Sequence, residues 1–244
     1  MLRFMLQVLL LSSLAGLVLA DGFPLWAQFL KKHSESSDAT PVASMKMGNH
    51  MQMSQKVDAE PGDDGRAQAI VVAARAVLQR YADVKTALHD GYRPFAPSGK
   101  MGEEVHYTSY RFHQKEQQQV DYGQPGSILY RRTPEGMRAV GVMYTAPPNS
   151  TPEQLNAIAP LSIATWHRHV DFCAGPRSLS FKEQFGAGGK FGPQGSIQSE
   201  SECAAAGGLW IPVVFGWMTH VYPDEKDIWA GMDMHMESNS DTIK

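Results

Sequence analysis

The stretch Ser127–Ala146, SILYRRTPEGMRAVGVMYTA, decides the fold class. Two runs rich in aliphatic and aromatic residues flank TPEG, Thr133–Gly136. That tetrapeptide has proline at its second position and glycine at its fourth, a combination that favours a tight turn. The stretch therefore predicts a β-hairpin.

Other segments extend the β character outward. EVHYTSYRF, Glu104–Phe112, alternates and is aromatic-rich. LSIATWHRHVDFC, Leu161–Cys173, and WIPVVFGWMTHVYP, Trp210–Pro223, are strand-like. Helices are fewer. Ile70, Ala74, Val77, Tyr81, Val84 and Leu88 recur at spacings of three and four, which predicts one helix from about Arg66 to Asp90 with a single buried stripe. Asp64 can cap its start; Gly91 and Pro94 end it. Thr151, Pro152 and Gln154 form a capping box for a short helix, and Ser199 with Glu202 does the same for another. Between these last elements, FGAGGKFGPQGS lacks the lysine and hydroxyl offset of a phosphate loop, so it reads as a surface loop. The fold class that results is α+β, a long N-terminal helix packed on a mainly antiparallel sheet.

Arg3 and the apolar run MLQVLLLSSLAGLVLA, ending at Ala20, read as a cleaved export signal covering residues 1–20. The run is about sixteen residues, shorter than the ~20 needed to span a bilayer. The expected location is secreted or periplasmic, with no membrane span after cleavage. In an oxidising compartment the two cysteines, Cys173 and Cys203, are expected to pair. Residues 21–63 are polar and read as a flexible linker, 64–230 as a single domain, and 231–244 as a tail. The formal charge is only −3, with scattered Lys and Arg, which argues against nucleic acid as a partner. The sequence names no protein partner.

The candidate chemistry lies in the histidines. Successive strand side chains alternate faces. His167 and His169 therefore share a face with Thr165 and Asp171, opposite Trp166, Val170 and Phe172. In the last strand, His220, Met218, Val214 and Tyr222 share a face opposite Trp217, Phe215 and Val213. His106 shares a face with Glu104, and His113 takes the opposite one if the segment stays extended. A strand HxH with a distant third histidine is a common way to hold a divalent metal with one open position. The candidate ligands are His167, His169, His220, His106 and Met218. Imidazole suits zinc, copper and iron, and a thioether shifts the preference to copper.

Methionine usage adds a second clue. Met45, Met47, Met51 and Met53 surround His50, and Met232, Met234 and Met236 surround His235, all in polar surroundings. Burial does not explain them there, and soft-metal capture does. Drift and oxidant scavenging are the other readings.

WHRHVDFC followed by GWMTHVYP, after the hairpin, resembles a family of exported bacterial proteins of unassigned function. That resemblance implies secretion and a shared site, not a reaction. The arrangement is also distantly similar to the cupins, with His167 and His169 matching the paired histidines and His220 the later one. It departs from them where Asp171 comes too soon to be the cupin glutamate, in the Pro212–Gly216 spacing, and in the long helix.

Three functions follow from these readings. The first is an exported protein that binds or handles metal, copper before zinc or iron. The second is a metal-dependent oxidase, oxygenase or hydrolase, with Glu104 as general base and Tyr107 or Tyr222 binding substrate. The third is a metal-free ligand-binding domain lined by the aromatic strands.

Overall fold

A computed structural model describes residues 22–23, 27–28, 31, 44–46, 50–95, 100–180, 183–184, 189–193 and 195–230. The expected signal segment, Met47, and the tail with Met232, Met234, His235 and Met236 lie outside the described residues.

The strands are β1 (Ser44–Lys46), β2 (Met51–Ser54), β3 (Arg93–Pro94), β4 (Glu104–Thr108), β5 (Ser127–Thr133), β6 (Gly136–Ala146), β7 (His167–Ala174) and β8 (Leu209–Val221). The helices are α1 (Asp63–Arg80), α2 (Val84–His89), α3 (Tyr110–Glu116), α4 (Pro152–Ile158) and α5 (Glu200–Ala205). The strands form one sheet in the order β1-β2-β7-β8-β6-β5-β4-β3. Pairing is antiparallel at β1/β2, β2/β7, β6/β8, β5/β6, β4/β5 and β3/β4. The class is α+β. The described residues fall into two compact units, those within Ser36–His169 and Phe215–Lys244, and those within Met1–Glu35 and Val170–Val214.

In the larger unit, β5 and β6 form the hairpin that TPEG predicts, with Thr133 paired to Gly136. Ile128 and Tyr130 of β5, Val142 and Tyr144 of β6, and Trp217 and Val221 of β8 build the main core with Trp166. Helix α1 covers this core with Ile70, Val71, Ala74, Val77 and Leu78. Fully burying an aliphatic side chain of this kind contributes about 1.5–3 kcal/mol.

The single helix expected over Arg66–Asp90 is two. Helix α1 stops at Tyr81, and α2 restarts with Asp83 as its N-cap, whose carboxylate accepts from the Lys85 N–H at 2.9 Å. The Tyr81 carbonyl accepts a hydrogen bond from the buried Tyr130 hydroxyl at 2.6 Å. An N-capping aspartate inside an unbroken apolar period competes for the backbone and ends the helix. Leu88, expected in the buried stripe, is 36% exposed as a result. At the start of α1 the cap is Gly62 and not Asp64. Asp63 is buried instead and accepts from the Glu60 N–H, the Ser162 hydroxyl and Arg66. These bonds, Ser162 first, hold its carboxyl down at about 2. Helix α4 has the full Thr151/Gln154 capping box.

Two further segments differ from their sequence readings. EVHYTSYRF is not one strand: β4 ends at Thr108, Ser109 takes the N-cap position, and Tyr110 begins α3. His113 is therefore helical. Met51–Ser54, read as part of a linker, is strand β2. Its methionines occupy alternate positions, which is the period of a sheet, and polar neighbours masked that signal.

In the smaller unit, Cys173 and Cys203 form a disulfide across a separation of 30 residues. Cys173, Cys203, Phe191 and Ile197 make its core. Ser199 caps α5 by accepting from the Glu202 N–H, while the Glu202 carboxylate accepts from the Gln198 N–H and the Ser199 hydroxyl.

Candidate functional site

The two faces of the larger unit's sheet differ in chemistry. One is the helix-covered core. On the other, Leu129, Val140, Met143, Met218, Tyr222 and Ala230 form a second apolar cluster. Register places the histidines on this second face. Residues directly opposite on antiparallel strands share a face. Met143 lies opposite His220, and His106 opposite Leu129. Met53 lies opposite His167, and Met51 opposite His169.

His106 on β4 and His220 on β8 are separated in the sheet by β5 and β6. On a flat sheet three inter-strand steps amount to about 14 Å. Their Nε2 atoms are 3.2 Å apart. These strands therefore curl, and the histidine face is concave. Gly141 of β6 permits part of this curvature, since a Cβ there would lie 2.7 Å from the Tyr222 ring.

The concave face gathers four imidazoles. The ring centroids of His167 and His220 are 5.0 Å apart, those of His106 and His220 5.4 Å, and those of His167 and His169 5.6 Å. His167 and His220 are buried, while His106 and His169 are half-buried. The two buried rings thus lie between the two half-buried ones. Both ring nitrogens of His167 are buried without a hydrogen-bond partner. Desolvation, followed by the charges of His169 and His106, brings the His167 imidazolium pKa down to about 3. Desolvation and then His169 bring that of His106 down to about 4. Both rings are neutral at physiological pH, the form that ligates metals.

The rings pair and do not all point at one centre. Among the described residues, no three His, Cys, Asp or Glu side chains are disposed together to hold a metal ion. The closest approach, His106 to His220, has the length of a hydrogen bond between two imidazoles, one nitrogen donating to the other. That length is also close to the ~3.3 Å edge of a tetrahedron of nitrogens around a metal at 2.0–2.1 Å.

The remaining candidates fall in different places. Glu104 shares the concave face, but its carboxylate is engaged. Oε1 accepts from the Tyr222 hydroxyl at 2.7 Å, and Oε2 lies 3.4 Å from Arg131. Arg131 also pairs with Glu225 at 2.8 Å. Burial first, then the charge of Glu104, raises the Tyr222 phenol well above its usual range. The Tyr222 ring leans on His220, with centroids 6.1 Å apart, so Glu104 and Tyr222 back the cluster. Tyr107 faces the other way, its ring 4.8 Å from Tyr130 in the main core. Met218 is buried in the apolar cluster, two residues from His220. His50, just before β2, is buried.

Phe215 is not on the face of Trp217. Phe215 and Gly216 both have positive φ, 60° and 91°, which breaks the alternation in β8. Phe215 joins the second apolar cluster, and its ring centroid lies 5.0 Å from that of His113. His113 lies outside the four-imidazole cluster, with Nδ1 3.0 Å from the Thr145 hydroxyl. Met143, opposite His220, was not singled out by the sequence. Its signal was the position three residues from the hairpin's end, which only the β6/β8 register converts into a neighbour.

Comparison with protein families, curated proteins and solved structures finds no match to this chain.

Proposed function

We propose that the chain is an exported metal-binding protein, with copper as its first choice of ion, and that His106, His167, His169 and His220 are its site. The observation that carries this reading is His167, fully buried with neither ring nitrogen hydrogen-bonded. A buried polar atom left unpartnered costs about 1–3 kcal/mol. Such groups are rare in native proteins and point to a strain reservoir or to an ion or water at the site. The low pKa values support the same reading, because a ligand must offer a free lone pair. Loading requires the rings to turn about their side-chain bonds towards one centre. The half-buried His106 and His169 give the ion a route in.

The reading is binding and not turnover. Glu104, the candidate base on this face, is held by Tyr222 and Arg131. Export is supported by the disulfide, a pairing that persists in oxidising compartments. Among the described residues, no helix is long and apolar enough to cross a membrane.

The test is metal content of the purified protein by mass spectrometry, beside a His167→Ala/His169→Ala variant. Near-stoichiometric copper in the wild type, lost in the variant, supports the proposal; zinc or iron in that pattern would keep the site and change the ion. Absence of metal, with no uptake of added Cu or Zn, would overturn it.

A further inference from the structure

Strand β2 changes what the histidine face can bind. Met51 and Met53 do not belong to a detached tail. In the sheet Met51 is the cross-strand partner of His169, and Met53 of His167. Directly opposed residues in an antiparallel pair have Cβ atoms about 4.5–5.5 Å apart on the same face. A thioether sulfur lies two bonds beyond Cβ on a chain with three rotatable bonds, so each can swing to an ion held by the opposing imidazole.

The register is fixed by more than the ladder. The Ser54 N–H donates to the Trp166 carbonyl at 2.7 Å, the Trp166 N–H to the Ser54 hydroxyl at 3.2 Å, and Arg168 Nε to the Gln52 side-chain carbonyl at 2.8 Å. Arg168 also donates to the Pro148 carbonyl and lies over the Trp217 ring. Gln52, the residue between the two methionines, is thereby tied down on the opposite face. A one-residue slip would turn both methionines away from the histidines, and these bonds oppose it. Neither methionine is fully buried, so core filling does not account for them.

We infer that β2 supplies thioether ligands, Met51 and Met53, to the histidine site, which makes that site selective for a soft monovalent ion, Cu(I). This rests on the metal-binding reading above and specifies its ligands and oxidation state. Thioether favours Cu(I), whereas neutral imidazole alone does not distinguish it from Zn(II). Thioether ligation also needs no proton released.

The experiment uses the full chain, wild type and Met51→Leu/Met53→Leu, a pair of volume-conserving exchanges. Anaerobic competition against a chromophoric Cu(I) chelator measures Cu(I) affinity, and a Zn(II) titration runs in parallel. The expected result is a loss of about tenfold or more in Cu(I) affinity in the variant, with Zn(II) affinity changed by less than about twofold. X-ray absorption of the Cu(I)-loaded wild type is expected to show sulfur beside nitrogen in the first shell, and this measurement needs no variant. Equal affinities for Cu(I) in the two proteins, equal losses for both ions, or a nitrogen-only shell would overturn the inference and leave a four-histidine site standing. A wild type that takes up neither ion would overturn the metal-binding reading itself.

Discussion

Replacing His167 with leucine separates the cost of the site from its use. His167 is fully buried, and its two ring nitrogens lack hydrogen-bond partners. Each such atom costs about 1–3 kcal/mol. Leucine is apolar, of similar volume, and removes both. The metal-free His167→Leu protein is expected to be more stable than wild type by about 1–3 kcal/mol, after allowance for imperfect packing. The gain grows in acid. The His167 pKa is about 3 in the fold against 6.5 for an ordinary histidine. Between those values the unfolded chain binds the extra proton, so native stability falls as pH falls below about 6.5. At pH 5 that loss is on the order of 2 kcal/mol for His167 alone, at 1.36 kcal/mol per unit. Chemical denaturation of metal-free wild type and variant at pH 7.5 and pH 5 measures both effects. The variant should gain at pH 7.5, gain more at pH 5, and fail to bind Cu or Zn. If His167→Leu destabilised the metal-free protein equally at both pH values while metal binding survived, the imidazole would be a packing residue and not a ligand.

Three other outcomes are expected. Cys173→Ala/Cys203→Ala should cost about 2–5 kcal/mol, read by urea denaturation. It should leave metal uptake at pH 7.5 intact, because the histidines lie in the other unit. Gly216→Ala should cost more than about 2 kcal/mol, read as a lowered Tm, because φ is 91° there and a Cβ would lie 2.4 Å from the Ala146 carbonyl oxygen. Glu116→Gln should flatten an opposite pH trend. Burial raises this carboxyl to about 8 despite bonds from Thr145 and Gly126. Stability is then fully present below the ordinary pKa of 4.5 and falls as pH rises towards 8. Denaturation midpoints across pH 5–8 would register the loss of that slope.

The hairpin, the capping box of α4 and the disulfide were legible because each is a local or composition-level signal. Thr133–Gly136 specifies its own turn, Thr151 and Gln154 satisfy each other's backbone, and two cysteines leave one pairing. The shared face of His167 and His169 was equally legible, since alternation alone sets it. Alternation failed at Phe215, where two positive φ values shift the face, and nothing in an aromatic before a glycine announces that the backbone will turn left-handed there. It failed at His113 because an aromatic-rich run is consistent with a strand until Ser109 caps a helix. The meeting of His106 and His220 was out of reach, because it depends on how far β4, β5, β6 and β8 curl, a property of the whole sheet. Strand β2 was missed for a different reason. Its alternating methionines carry the period of a strand, but polar neighbours hid it, and its pairing with β7 completes it.

The location of β2 alters how the methionines are to be understood. If they served only to capture ions in a mobile segment, their register against β7 would be immaterial. Instead Gln52 is clamped by Arg168, Ser54 exchanges bonds with Trp166, and Met51 and Met53 are thereby fixed opposite the two histidines. Arg168 lies between those histidines in sequence, bonds Gln52 and the Pro148 carbonyl, and lies over Trp217 in the main core. One residue therefore links the core to the alignment of methionine with imidazole. Arg168→Lys keeps the charge but loses the planar fork and the flat face on the ring. It should weaken Cu(I) binding more than Zn(II) binding if β2 supplies sulfur, since the histidines stay on β7 while β2 loses its register. Parallel Cu(I) and Zn(II) titrations of Arg168→Lys check this, and equal losses for the two ions would show that the clamp serves the fold alone.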